Sequence, residues 1–222
     1  MSATLYMVAT PIGNMKDISD RTRSTLSSVD VVFAEDTRVA QSLLQKLDIN
    51  TPVERYDHHS HDRQSPAVLA YLQGGKDVAY VSDAGTPGVE DPGGRLVEAV
   101  TRTLPDVAIS PIPGPSAIMA ALSVSGFPAD KFVVMGFAPK KKGRQTFFDT
   151  LAQTEGTVVL YEATHRIQKT IEEIATRQPD RPMLIARELT KKFETLLRGT
   201  AQELAVRLSS ENTKGEFIVV VS

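Results

Sequence analysis

Val78-Ala79-Tyr80-Val81-Ser82-Asp83-Ala84-Gly85-Thr86-Pro87-Gly88 reads as a short buried strand that stops abruptly in a loop of small and turn-forming residues. Gly85 and Gly88 admit backbone angles that other residues avoid, and Pro87 fixes its own φ and lacks a donor. A second glycine pair, Gly93-Gly94, follows Asp91-Pro92 and precedes an apolar helix pattern over Arg95–Thr103. Open α/β sheets place ligands in loops of this make-up, at the C-terminal ends of strands. A tight strand-to-helix turn has the same make-up, so the stretch alone leaves both readings open.

Outward from it, short Val- and Ile-rich runs alternate with helical patterns. Strands are expected at Leu5–Thr10, Val29–Ala34, Val53–Tyr56, Asp77–Ser82 and Val107–Pro111, and helices at Ser19–Ser28, Thr37–Leu47 and Ser65–Leu72. This interleaving means α/β with a mainly parallel sheet. Pro111-Ile112-Pro113-Gly114-Pro115 then packs three prolines into five residues, which neither a helix nor a central strand continues. Beyond it, strands are expected at Phe132–Phe137, Thr157–Tyr161, Met183–Arg187, Phe193–Arg198 and Glu216–Val221. Helices are expected at Ser116–Ser123, up to Gln153, at His165–Thr176 and at Gln202–Leu208. The short gap between Arg187 and Phe193 predicts an antiparallel hairpin. The expected architecture is two α/β domains, residues 1–112 with a mainly parallel sheet and residues 113–222 with a mixed one.

The 222 residues suffice for a substantial core, and 41% hydrophobic with 23% charged residues is ordinary for a soluble globular chain. No apolar run reaches the ~18 residues of a membrane span. The first residues lack the basic region of a signal peptide. A cytoplasmic protein with no membrane partner is therefore expected. The absence of cysteine excludes disulfides, thiolate metal sites and cysteine nucleophiles. Lys+Arg of 25 against Asp+Glu of 27 excludes a globally basic nucleic-acid binder, but not a local basic patch.

Four polar, turn-rich segments follow strand ends: Thr10–Asn14, Glu35–Arg38, Ser82–Gly88 and Pro113–Ala117. In a parallel sheet the strand C-termini share one edge, so these loops converge. None matches a phosphate-binding loop of either glycine-rich pattern, which argues against an ordinary nucleotide triphosphatase or Rossmann dehydrogenase. Asp36 reads as the cap of the following helix, as a general base, or as both, and Arg38 can pair with it or with Glu35. The run Asp57-His58-His59-Ser60-His61-Asp62 invites a metal reading, but no matching ligand group stands elsewhere. A polar loop without metal is the preferred reading. Lys140-Lys141-Lys142-Gly143-Arg144 packs four cations into five residues, as a solvated face or as a grip on phosphates. Tyr161–Arg166 and Arg187–Lys192 combine acids, hydroxyls and cations at strand ends. Strand alternation would put Arg187, Leu189 and Lys191 on one side and Glu188 and Thr190 on the other.

Leu5–Asn14, Ala34–Arg38, Val81–Pro87, Pro113–Ala117, Tyr161–Arg166 and Ala186–Lys191, in this order, resemble the ribosomal RNA small-subunit methyltransferase I family of the tetrapyrrole methylase superfamily. The resemblance covers residues 5–221, and Thr-Pro-Ile-Gly-Asn, Glu-Asp-Thr-Arg and Ser-Asp-Ala-Gly-Thr-Pro together are its specific part. It implies S-adenosylmethionine-dependent methylation of the ribose 2′-oxygen of a cytidine in small-subunit (16S) ribosomal RNA, free or in the assembled 30S subunit. It also implies a homodimer, with two α/β domains flanking a cleft for the methyl donor. Donor contacts carried over are Pro11, Asp83, Gly85, Thr86, Pro87, Val89, Ser116, Ala117, Tyr161 and Ala186. Candidate bases or alkoxide stabilisers are Asp36, His165, Glu188 and Lys191. RNA contacts are expected from Arg38, Lys140, Lys141, Lys142, Arg144 and Arg166, and no metal is expected. Glu90 departs from the pattern, where a small polar residue is expected, and longer members carry an additional C-terminal helical segment. The competing readings are a precorrin-type C-methyltransferase and a non-catalytic module that holds S-adenosylmethionine or RNA.

Overall fold

Alternating apolar residues on each strand divide the side chains between two covered faces, and this pattern builds both sheets. The computed structural model describes residues 3–57, 61–210 and 213–222, with residues 61 and 62 as backbone only. The chain divides into two compact units, Met1–Ser116 and Ala117–Ser222, just after the Pro113-Gly114-Pro115 run.

In the first unit, β1 (Thr4–Val8), β2 (Val31–Ala34), β3 (Val53–Arg55), β4 (Val78–Val81) and β5 (Ala108–Ile112) form a parallel sheet in the order β3-β2-β4-β1-β5. Val8, Val32, Ala34, Ala79 and Val81 point to one side, where α1 (Asp20–Ser28) and α2 (Thr37–Lys46) supply Leu26, Ala40 and Leu44. Leu5, Val31, Phe33, Val78 and Tyr80 point to the other, against Val68 and Leu72 of α3 (His61–Gln73) and Leu96 and Val100 of α4 (Gly93–Thr103). From β1 the chain crosses to β2, beyond β4. From β4 it crosses in the opposite direction, past β1, to β5. The boundary between β1 and β4 is thus the point where strand order reverses, the place such sheets keep for ligands. Pro111 lies within β5, as in the expected strand Val107–Pro111. β5 is an edge strand, so the missing donor leaves no partner unpaired.

In the second unit, β6 (Phe132–Phe137), β7 (Thr157–Ala163), β8 (Pro182–Arg187), β9 (Thr195–Thr200) and β10 (Glu216–Val221) form a mixed sheet in the order β6-β7-β10-β8-β9. Only β6 and β7 are parallel, and β8 and β9 make the expected antiparallel hairpin. The centre of the sheet, β10, is apolar from Phe217 to Val221 because both its faces are covered. Phe217, Val219 and Val221 meet α6 (Arg144–Gln153), α7 (Ile167–Arg177) and α8 (Ala201–Leu208). Ile218 and Val220 meet α5 (Ala117–Ser123).

Two local readings change. α7 starts at Ile167, two residues later than the sequence pattern suggests, and Thr164–Arg166 form a turn. Residues 188–194 are also not extended: Glu188 and Thr190 have φ of 51° and 64°, so strand alternation does not apply to them.

Beneath the lysine-rich turn the second unit buries a charged network. Glu162, 1% exposed, accepts from Arg166 Nε (3.1 Å), Thr170 Oγ1 (2.5 Å) and its neighbour's Ala163 N (2.9 Å). Arg144, also buried, donates from Nη2 to Thr170 Oγ1 (3.1 Å) and from Nη1 to the Pro139 carbonyl (3.2 Å), and Arg166 Nη2 donates to the Ala138 carbonyl. Removing one member of such a set strands a buried charge. Glu162→Ala should therefore lower the unfolding free energy by about 3–5 kcal/mol, and Glu162→Gln by less, in urea denaturation.

Candidate functional site

The loops after four strands of the first unit are tied to one another. Thr10 and Gly85 exchange two backbone hydrogen bonds, 3.0 and 3.1 Å, which join the loops after β1 and β4. Thr86 Oγ1 donates to the Pro115 carbonyl (2.9 Å), adding the loop after β5. Asp36 N donates to Asp83 Oδ1 (3.1 Å), adding the loop after β2. Gly85 sits at φ +82°, and a Cβ there would come within 3.2 Å of Ile12 Cγ2 and 3.5 Å of the Pro115 oxygen. The left-handed turn favours glycine, and a side chain there would also press on Ile12.

The loop is also pinned from below. The Asp91 carboxylate accepts from Gly88 N (2.8 and 3.0 Å), Val89 N (3.2 Å) and Gly93 N (2.7 Å). A Cβ on Gly93 would lie 2.9 Å from the Tyr80 ring, so α4 begins hard against β4. The Tyr80 hydroxyl is buried without a hydrogen-bond partner among the described residues. Burial first, then the Asp91 and Glu35 charges, push its ionisation well above the usual tyrosine range, so it stays neutral.

Asp36 is the N-cap of α2: its Oδ1 accepts from Arg38 N at 2.9 Å. The Arg38 guanidinium grips the same carboxylate through Nε (3.0 Å) and Nη2 (2.6 Å). The Arg38 side chain, then its backbone N–H, hold this carboxyl well below the usual aspartate range. Beside it a cavity of about 540 Å³ opens along α2, bounded by Pro11, Met15, Asp36, Leu43, Lys46 and Asp83 among others. That volume suits a small-molecule or nucleotide ligand.

The second unit carries its own groupings. Tyr161 and Ala186 flank Ile218 in one row of the sheet, and Ala117 of α5 packs on the same cluster. Tyr161 stacks on Phe137, with ring centroids 5.4 Å apart. At the sheet edge Lys191 Nζ bridges Glu188 Oε1 (3.0 Å) and Glu216 Oε2 (2.8 Å). Partial burial opposes the charge on Glu188, but Glu216 N–H and Lys191 outweigh it and hold the carboxyl below its usual range. Burial likewise opposes the Lys191 charge, and Glu216 and Glu188 outweigh it, leaving an ammonium that is harder to deprotonate than usual. His165 is exposed in the turn after β7, without an ion-pair partner among the described residues.

A family model described as tetrapyrrole (corrin/porphyrin) methylases matches residues 4–205. The chain belongs to this methylase family. Within it, the chain is 45% identical to the ribosomal RNA small subunit methyltransferase I of Synechocystis sp., over 98% of this chain and 78% of that protein. It is 37% identical to the protein of the same name from Bacillus subtilis, over 98% and 74%. Among solved structures, a diphthine synthase superposes with a TM-score of 0.74 at 14% identity, covering 99% of this chain and 89% of that one. The uroporphyrin-III-C-methyltransferase of Thermus thermophilus gives 0.69 at 19%, covering 99% and 94%. These two establish the methylase fold alone.

Of the residues expected in this methylase's site, the first unit brings together Pro11, Asp36, Arg38, Asp83, Gly85 and Thr86, with Ser116 following the Pro115 carbonyl that Thr86 holds. Pro87 and Val89 lie on the same loop, on either side of Gly88, which Asp91 holds. Ala117, Tyr161 and Ala186 form their own cluster in the second unit. Lys140, Lys141 and Lys142 are exposed, while Arg144 and Arg166 are drawn inward to carbonyls of the same turn. His58, His59 and the side chain of His61 lie outside the described residues. Among the described residues no group of three or more His, Asp or Glu is placed to hold a metal.

Sequence reading missed Asp91, although an aspartate just before a glycine-started helix is a known device for collecting backbone N–H groups. It also missed Ser42, Leu43 and Lys46, which line the cavity from a helix face that reads as ordinary amphipathic surface.

Asp36 is ionised at neutral pH, and what its pair with Arg38 contributes is fully present above the ordinary aspartate value of 3.8 and lost as pH falls through the lower folded value. A carbon-13 NMR titration should find the Asp36 midpoint below 3.8, and Arg38→Ala should move it upward.

Proposed function

We propose that this protein transfers a methyl group from S-adenosylmethionine to the ribose 2′-oxygen of a cytidine in small-subunit ribosomal RNA. The reading is carried by identity of 37–45% sustained over 98–100% of the chain with relatives that bear one name, ribosomal RNA small subunit methyltransferase I. A precorrin-type acceptor rests on the family description and on fold likeness, which is weaker support.

The loops of the first unit suit the donor. Glycine and small side chains let a ligand approach backbone groups closely, and the exposed Asp83 carboxylate favours a cationic ligand. We assign donor contacts to Pro11, Asp83, Gly85, Thr86, Pro87, Val89 and Ser116, and to Ala117, Tyr161 and Ala186 of the second unit. When bound, the donor supplies an already activated methyl group on a sulfonium. The protein's part is therefore mainly to align the acceptor oxygen with that carbon.

The acceptor must also lose its hydroxyl proton. Asp36 and Glu188 are held ionised by their cations and are weak proton acceptors, and Lys191 is held protonated. We assign the proton to His165, the remaining candidate. The exposed Lys140, Lys141 and Lys142 are assigned to RNA phosphates, with Arg144 and Arg166 fixing the backbone beneath those lysines, whereas Arg38 is taken up by Asp36. A homodimer and a cytoplasmic location are part of the same proposal. The exposed Phe132, Val133 and Phe137 on edge strand β6 support a second copy pairing there.

Tritiated S-adenosylmethionine, offered with assembled 30S subunits, naked small-subunit RNA or a precorrin, tests the reading. Label should appear on a cytidine ribose, located by mass spectrometry. Label on the precorrin alone would install the competing chemistry, and donor binding without any transfer would indicate a binding module. His165→Ala should slow transfer by about 10²–10⁴-fold while leaving donor affinity unchanged. Full rates in Asp36→Ala, His165→Ala, Glu188→Ala and Lys191→Ala alike would refute side-chain base catalysis. Gly85→Val, at a left-handed φ that costs a β-branched residue about 1–3 kcal/mol, should weaken donor binding about tenfold or more in calorimetry.

A further inference from the structure

The cavity along α2 has two chemically different ends. Arg38, Ser42 and Lys46 recur every four residues and share one helix face, with Val39 and Leu43 beside them, and all five line the cavity. At 1.5 Å per residue, Arg38 and Lys46 stand roughly 12 Å apart along the axis. At the Arg38 end, Asp36 neutralises the guanidinium and Asp83 adds a second carboxylate. At the other end, Lys46 has no ion pair among the described residues. The Arg23 guanidinium donates to the Leu47 carbonyl (3.1 Å) at the end of the same helix, outside the residues that line the cavity. Asp48 follows in sequence but pairs with neither.

We propose that the α2 side of this cavity is a docking channel for single-stranded RNA, in which Lys46 takes a phosphodiester of a nucleotide flanking the methylated one. The inference rests on the function proposed above and adds a subsite to it. A cationic donor is drawn to the acidic end, at Asp83. A polyanion is drawn to the basic end, so one cavity orders two substrates of opposite charge. Between the ends, Val39 is 43% exposed and Leu43 half-buried, an apolar wall suited to a ribose or base. A lysine in the last turn of a helix is favourable by itself. That does not account for an exposed valine facing the cavity between the two ends.

The test uses the full chain and two variants, Lys46→Glu and Ser42→Trp, with folding checked by thermal melts. Fluorescein-labelled polycytidylate and assembled 30S subunits serve as RNA probes across a salt series, and S-adenosylmethionine binding is read by calorimetry. Lys46→Glu should weaken RNA binding about tenfold at low salt and reduce the slope of log K against log salt by about 0.7, the share of one phosphate on a single strand. Ser42→Trp should weaken RNA binding with the slope unchanged, because it fills the channel without altering charge. Donor affinity should stay within about twofold in both, since neither side chain lies at the acidic end. RNA affinity and slope unchanged in Lys46→Glu would overturn the channel, as would loss of donor binding with RNA binding intact, which would give the whole cavity to the donor. If the unaltered protein methylates RNA but Lys46→Glu behaves identically, the channel alone falls. If the unaltered protein neither binds nor methylates RNA, the proposed function falls and the channel with it.

Discussion

Two hydrogen bonds between Thr10 and Gly85 hold the site of the first unit together. They sit where the strand order of the parallel sheet reverses, between neighbours whose chains leave in opposite directions. Without a tie, loops departing that way would splay and open the sheet edge to water. The tie needs the backbone of the β4 loop to turn back toward β1, which a φ of +82° achieves and a side chain at Gly85 would obstruct. Thr86 to Pro115 and Asp36 to Asp83 then extend the same constraint to the loops after β5 and β2. The loops are ordered by contacts among themselves, so a ligand need not spend binding energy arranging them.

The carboxylates around that edge act mostly as fixed acceptors. Asp91 collects N–H groups of its own loop, Asp36 caps α2 and grips Arg38, and Asp83 accepts from Asp36. For Asp36 the bonds from Arg38 stabilise the ionised form, which makes it a good structural anchor and a poor base. The same holds in the second unit, where Glu188 is bound to Lys191 and to the Glu216 backbone. Glu188 and Thr190 keep left-handed backbone angles nearby, a strain that persists only when surroundings enforce it, here through the Lys191 bridge and the hydrogen bond from Thr190 N to Glu194.

Much of this was readable in the sequence where a local rule decides it. The continuous apolar run Phe217–Val221, the Asp36 cap, the β8–β9 hairpin and the gathering of the four polar loops all follow from composition, cap chemistry and strand direction. What escaped depends on partners remote in sequence. Arg144 belongs to a cationic run, and only the packing of α7 against α6 draws it inward to Thr170, 26 residues away. Strand alternation sets Glu188 and Lys191 on opposite sides, whereas left-handed angles at Glu188 and Thr190 turn the segment back on itself and bring them together. The α2 cavity escaped because Ser42 and Lys46 are ordinary surface residues until the β1 loop stands opposite them.

The buried network explains how three adjacent lysines remain in one turn. Lys140, Lys141 and Lys142 repel one another, and a free loop would spread them. Arg144 and Arg166 instead hold the carbonyls of Pro139 and Ala138 from beneath, fixing the backbone without neutralising the lysines. Burying two guanidiniums under three ammoniums would add to the repulsion if nothing balanced them. Glu162 and Glu173 supply the matching negative charge, and Thr170 joins the two halves. Because Arg166 is paired with Glu162, and Arg144 with a Glu173 that Arg177 shares, the field of the exposed lysines is left to act outward, on whatever anionic partner meets the turn.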